Sequence, residues 1–297
     1  MSPTVWITKP GIYPDLTPDQ YFEDPCPRPS LNASTIKVMR ETSVRHAAFR
    51  HPRLNPYRQD SSSSKALFLG SAVHRLALGK GREVSVIRYP DFKTSSARRA
   101  RDAAVANGRI PVLEKQHVEA QEMAAVVRAA IERRLGGREY FTEVPVFWTR
   151  ETAAGLIWCR IMLDVWCPSL SLALDVKTTR GHATEEWVAR DVADNRYDVP
   201  DFWYLEGLAN VLPDMAGRLA FEFLYIETSE PYGTRPYELG ALTRELAEYE
   251  CAQAAEAWGA ALASWTFPSY PTTPGRIEAA GWHLRRLTER RELESVG

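Results

Sequence analysis

The chain has 297 residues, with 37 lysines and arginines against 38 aspartates and glutamates, a net charge of -1. Hydrophobic residues make up 44% and charged residues 25%, a balance that lets a globular domain bury its core without disulfide or metal staples. These figures exclude a histone-like or tail-driven nucleic-acid binder, while leaving room for a local basic groove, because net charge averages over the surface. Cys26, Cys159, Cys167 and Cys251 form no CxxC pair, which argues against a disulfide framework and a structural zinc. No basic stretch followed by an apolar one marks a secretory leader. No apolar run approaches the roughly 18–20 residues of a membrane span. A cytoplasmic protein with no membrane partner is expected.

In chain order, residues 1–30 are rich in proline and aromatics and read as irregular structure. Ser34 is a candidate N-cap for a helix that runs through Ile36 and Met39. Prolines, polar groups and Ser61 to Ser64 make 51–64 a loop. Over 65–78, Leu69, Val73, Leu76 and Ala77 share one helical face, with His74 close to it. A polar helix over 91–108 carries Arg98, Arg99 and Arg101, and an alanine-rich helix covers 114–134. Strands follow at 143–148, 156–166 and 172–177, the first two joined by a turn at 151–155. Helices at 183–193 and 200–211, a strand at 221–226 and a long helix at 241–265 complete the pattern. This order predicts a mixed α/β fold, a central mixed sheet flanked by helices. We divide it into an N-terminal extension (1–64), a core (65–266) and a C-terminal tail helix packed on that core (267–297).

The chemistry concentrates in Leu174-Asp175-Val176-Lys177-Thr178-Thr179. Asp175 and Lys177 are two apart on a strand, so they share a face. Together they make either an ion pair or a metal ligand beside a group that orients a water. Asp164 lies on the preceding strand, where antiparallel pairing brings it beside Asp175. Glu143 lies one strand earlier. Converging carboxylates repel unless a cation neutralises them, and hard oxygen donors suit Mg²⁺ or Mn²⁺.

The pattern Asp164, then Asp175-Val176-Lys177, resembles the PD-(D/E)xK nuclease core, and within it the exodeoxyribonuclease VIII (RecE-type) family of phage exonucleases. The resemblance includes Ser30 to Ser34, Gly70-Ser71-Ala72-Val73-His74, the Lys93–Arg101 helix, Cys159 to Asp164, and Arg196-Tyr197 to Tyr204. It implies His74, Asp164, Asp175 and the Val176 carbonyl as metal contacts, Lys177 as the catalytic lysine, and Glu143 as an acidic neighbour of the site. Tyr204 matches a tyrosine of the helix after the core. Pro200 stands where the family tends to place glutamine. The resemblance further implies Mg²⁺ (Mn²⁺ substituting), 5′-to-3′ digestion of duplex DNA from free ends, a ring-like homo-oligomer, and a single-strand annealing partner.

Several residues carry two readings. Arg98, Arg99 and Arg101 are either a solvated helix face or phosphate contacts. Arg160 shares parity with Asp164 and either touches phosphate or pairs with a carboxylate. Thr178 caps the next helix or meets phosphate, and Tyr204 lines a groove wall or stacks on bases. An iron–sulfur nuclease is rejected, because it needs four converging cysteines and only Cys251 lies late in the chain. A restriction-like endonuclease and a DNA-binding module with an inactive site remain as alternatives.

Overall fold

A computed structural model of the chain describes residues 6–55, 57 and 65–295. Residues 56 and 58–64 of the expected loop, including Ser61 to Ser64, lie outside them. In chain order the elements are β1 (Gly11–Ile12), α1 (Pro18–Phe22), α2 (Ala33–Glu41), α3 (Val44–Arg50), α4 (Lys65–Leu78) and β2 (Val84–Ile87). Next come α5 (Ser95–Ala106), β3 (Ile110–Leu113), α6 (Glu114–Leu135), β4 (Phe141–Thr152), β5 (Gly155–Cys167) and β6 (Leu172–Thr179). The last are α7 (Glu185–Asn195), α8 (Asp198–Val211), β7 (Ala220–Glu227), β8 (Thr234–Tyr237), α9 (Ala241–Ser264) and α10 (Gly281–Ser295).

Six strands form one mixed sheet in the order β1-β4-β5-β6-β7-β8, with β6 and β7 parallel and the other pairs antiparallel. The period of two sorts β7 cleanly. Phe221, Phe223 and Tyr225 enter the core under α2, α8 and α9, while Leu224 and Ile226 enter the one under α4 and α6. The expected mixed sheet with helical flanks is therefore present. Helix α2 is capped by Asn32, whose side chain accepts from the Thr35 amide at 2.8 Å, two residues before the expected cap at Ser34. Pro200 falls in the first turn of α8, where its missing N–H costs nothing.

Two regions differ from the sequence division. The N-terminal segment is no appendage: β1 joins the sheet edge, and Leu31, Ile36 and Ala47 belong to the main core. The C-terminal helix forms as α10 but does not pack on the core; it is exposed at nearly every described position. Short β2 and β3, a separate parallel pair, were not visible as strands. Each is four residues, and the second contains Pro111. Among the described residues no helix is long and apolar enough to cross a membrane.

Candidate active site

The strands part where the site lies. β5 and β6 pair at Val165–Leu174, Trp166–Ala173 and Cys167–Leu172, and then diverge. Beyond the split, Leu31 takes the edge of β5 through a parallel bridge to Cys159. Asp164 is the first residue past the last pair. The faces of β5 also exchange there: Ile157, Cys159, Ile161 and Leu163 serve one core, whereas Val165 and Cys167 serve the other. The register of β4 on β5 sets Glu143 across from Asp164, because Thr142 pairs with Val165 and Val144 with Leu163. Glu143 has φ 47°, an uncommon backbone for a non-glycine residue inside a strand.

Asp164 turns its carboxylate into the gap and accepts the Val176 amide at 2.8 Å, replacing a strand carbonyl. His74 arrives from α4. Its Nε2 lies 2.7 Å from the Val176 carbonyl and its Nδ1 3.5 Å from Asp164 Oδ2. A carbonyl only accepts, so the Nε2 carries the proton, and in the neutral ring the Nδ1 lone pair faces a carboxylate. Metal-binding histidines have this arrangement: one nitrogen free for the ion, the other donating to a carbonyl. The Gly-x-x-x-His spacing has a steric cause. A Cβ at Gly70 would lie 3.0 Å from Thr178 Oγ1, so glycine lets α4 approach β6 one turn before His74.

His74, Glu143 and Asp164 offer donor atoms within 4.8 Å of one another. Burial first, and then the charge of Asp164, raise the Glu143 pKa to about 8. Asp164 is raised to about 7, chiefly by burial; His74 opposes the shift and Asp175 adds to it. Asp175 is not one of these three but adjoins Asp164, whose pKa it raises by its charge and a side-chain hydrogen bond. It is 4% exposed, and both its oxygens lie 2.6 Å from Lys177 Nζ. Burial disfavours the Lys177 ammonium, but Asp175 and Asp164 outweigh it, and its pKa is raised.

The expected set is thus divided. His74, Asp164 and Glu143 gather, Asp175 and Lys177 pair beside them, and the Val176 carbonyl accepts from His74. A cleft of about 970 Å³ opens over His74, Glu143 and Asp164. Arg101, Thr178 and Tyr204 line it, whereas Arg98 and Arg99 are exposed on α5 away from it. Arg160 borders the cleft floor but is 2% exposed. It donates to Ser30 Oγ at 2.8 Å and to the Tyr21 carbonyl at 2.9 Å, and lies 3.5 Å from Asp24. Its phosphate role is therefore corrected to that of a buried strut between the N-terminal segment and β5. Sequence reasoning missed Lys80, Arg82 and Arg109 on the cleft wall. The signal was Gly79-Lys80-Gly81-Arg82, whose glycines take φ 77° and 101° and turn the loop at the cleft.

With this geometry in hand, the molecule belongs to the class of mixed α/β proteins with a carboxylate-lined cleft at a strand split. A presumed exonuclease from Eubacterium rectale shares the fold: the two superpose with a TM-score of 0.58 at 15% identity, over 92% of this chain and 98% of that one. A second solved protein, matched over 64% of this chain and 87% of its own at 14% identity, reaches a TM-score of 0.28, too low to bear on the fold. No family model matches the chain, and no curated protein matches it.

Proposed function

We propose that the chain is a metal-dependent deoxyribonuclease of the PD-(D/E)xK type that degrades linear duplex DNA from its ends. One observation carries this reading: His74, Glu143 and Asp164 converge within 4.8 Å at the floor of a basic-walled cleft, with Lys177 beside them. The likeness in fold to a presumed exonuclease supports it.

Two carboxylates and one imidazole suit a divalent cation of the Mg²⁺ or Mn²⁺ class, with nitrogen better matched to Mn²⁺. Such an ion polarises a phosphodiester and lowers the pKa of a bound water. The chain supplies the rest. Val176 fixes the His74 ring, Asp175 holds Lys177 at the strand end, and the Lys177 ammonium stabilises charge that develops on the phosphoryl oxygens. Lys80, Arg101 and Arg109 neutralise phosphates along the strand and so hold DNA without reading its sequence. The resemblance in sequence extends the proposal to 5′-to-3′ digestion by a ring-like oligomer that passes single strands to an annealing partner.

The test compares linear duplex DNA with covalently closed relaxed circles at equal concentration and salt, with Mg²⁺, followed on a gel. Progressive loss of the linear form with survival of the circle is the expected result. Cutting of the circle would favour an endonuclease. Binding of both forms without cutting would favour a non-catalytic module. Asp164→Ala should lower cleavage by more than about 100-fold, since even the partners that merely orient a metal ligand are worth about 10- to 100-fold. Its fold should persist, because relief of repulsion with Glu143 offsets the lost hydrogen bond to the Val176 amide.

A further inference from the structure

Asp175 holds Lys177 by its ammonium alone, and a four-carbon chain tethered at one end can pivot. The further neighbours of that ammonium are the Asp164 carboxylate and two aromatic rings. Lys177 Nζ lies 4.8 Å from the centroid of the Tyr197 ring and 5.7 Å from that of Phe223. The two rings are 5.7 Å apart and inclined by 34°. Phe223 faces Asp175 across the β6–β7 register and is fully buried, so its place is fixed by the sheet. Tyr197 packs at the margin of the same core, outside the sheet. It stands in the turn between α7 and α8, after Arg196 at φ 51°, held by its own amide donating to the Val192 carbonyl at 3.0 Å.

A second lysine ties that turn down. Lys37, on α2, donates from Nζ to the carbonyl of Asn195, the last residue of α7, at 2.8 Å. The same Nζ lies 5.3 Å from the Tyr197 centroid. Two ammonium groups therefore share one ring, against their mutual repulsion. The negative π-face and the helix-end carbonyl both favour cations and offset that repulsion. Among the described residues the Tyr197 hydroxyl makes no hydrogen bond, so the ring itself is what the lysines use.

We infer that Tyr197 is the positioning residue of Lys177, its ring held in place by Lys37 and setting the direction of the ammonium at the end of β6. The inference rests on the reading of Lys177 as the catalytic cation, and neither sequence spacing nor the metal-ligand pattern assigns Tyr197 this role. Removing the ring leaves the Asp175 and Asp164 carboxylates as the remaining partners, and the ammonium then spends part of its time away from the substrate. Because this affects the chemical step and not DNA capture, the loss falls on kcat.

The test uses the full chain with Tyr197→Phe, Tyr197→Leu and Lys37→Met. The first readout is NMR of lysine ε-methylene groups, with Lys177 assigned through Lys177→Arg. The wild type and Tyr197→Phe should show an upfield ring-current shift at Lys177, and Tyr197→Leu should lose most of it. Kinetics on linear duplex DNA with Mg²⁺ is the second readout. Tyr197→Leu should lower kcat about tenfold with KM and melting temperature unchanged, and Tyr197→Phe should stay within about twofold of wild type. An unmoved Lys177 signal with wild-type kcat in Tyr197→Leu overturns the inference. A joint loss of kcat, KM and melting temperature makes Tyr197 structural and overturns it too. Where Tyr197→Leu does not fold, Lys37→Met decides: partial loss of the shift supports the anchored ring, and an unchanged shift overturns it. A wild type that cleaves nothing defeats the nuclease reading, while the NMR comparison still decides the positioning.

Discussion

Glu143 and Asp164 hold protons in the folded chain at pH values where the unfolded chain has released them. Their folded pKa values lie above the ordinary carboxylate range. Between about pH 4 and pH 8 the native state therefore binds more protons, and unfolding releases them. Their contribution to stability is complete below pH 4 and is lost as pH rises through about 7 to 8. Asp24 behaves in the opposite sense. Burial raises its pKa, but the hydrogen bond from His51 and the charge of Arg160 outweigh burial and lower it to about 2, so its effect falls below the same window. Calorimetry of the metal-free protein should give a lower melting temperature at pH 8.5 than at pH 5.5, and Glu143→Gln should flatten that slope. A divalent ion binds the ionised carboxylates, so its affinity should rise over the same interval. At this scale the sequence carried much of the site. Strand parity set Asp175 beside Lys177, and hairpin logic set Asp164 near both. It could not show that Asp175 is committed to Lys177, or that the Val176 carbonyl orients His74, because both depend on where the strands part. Arg160 misled for a related reason. Parity gave its face correctly, but the N-terminal segment covers that face.

At the scale of elements, the approach of α4 to β6 is the most exacting contact of the site. Gly70→Ala adds helix propensity of about 1 kcal/mol and sets a methyl 3.0 Å from Thr178 Oγ1, an overpacking that costs about 1–3 kcal/mol. The two effects nearly offset in stability, yet the second displaces the helix that carries His74. Gly70→Ala should leave the melting temperature within a few degrees and weaken Mn²⁺ binding several-fold by calorimetric titration. The double variant with Thr178→Ala should restore binding, since it removes the clashing oxygen. The long helices were legible as extended helical runs of 22 and 24 residues, and the β4–β5 hairpin from the turn between two strand-like runs. The short β2 and β3 were not, since four-residue segments are too short to tell a strand from a helix turn. Nor was the exchange of faces at Asp164, which breaks the period that strand reading relies on.

For the whole molecule, a net charge of -1 hides an uneven surface, with Lys80, Arg101 and Arg109 on the wall of one cleft. Each phosphate contact made by such a group adds roughly 0.7–0.9 to the slope of log affinity against log salt. Lys80→Ala and Arg109→Ala should each reduce that slope by nearly one unit in fluorescence titrations without altering sequence preference. Arg98→Ala, on the outer face of α5, should leave it unchanged. Composition gave the size and class of the fold but not this asymmetry, which arises because α5 and the Gly79–Arg82 loop that follows α4 meet only in space. The same convergence has a mechanical side. The central sheet is joined across its middle by three residue pairs of β5 and β6, so it consists of two panels on a narrow hinge. Asp164 and Glu143 belong to one panel, and His74 is tied through Val176 to the other. Whatever these groups grip in common also fastens the panels together. Occupancy of the site should therefore be felt as slower amide exchange on both sides of the hinge, far beyond the residues that touch the ligand.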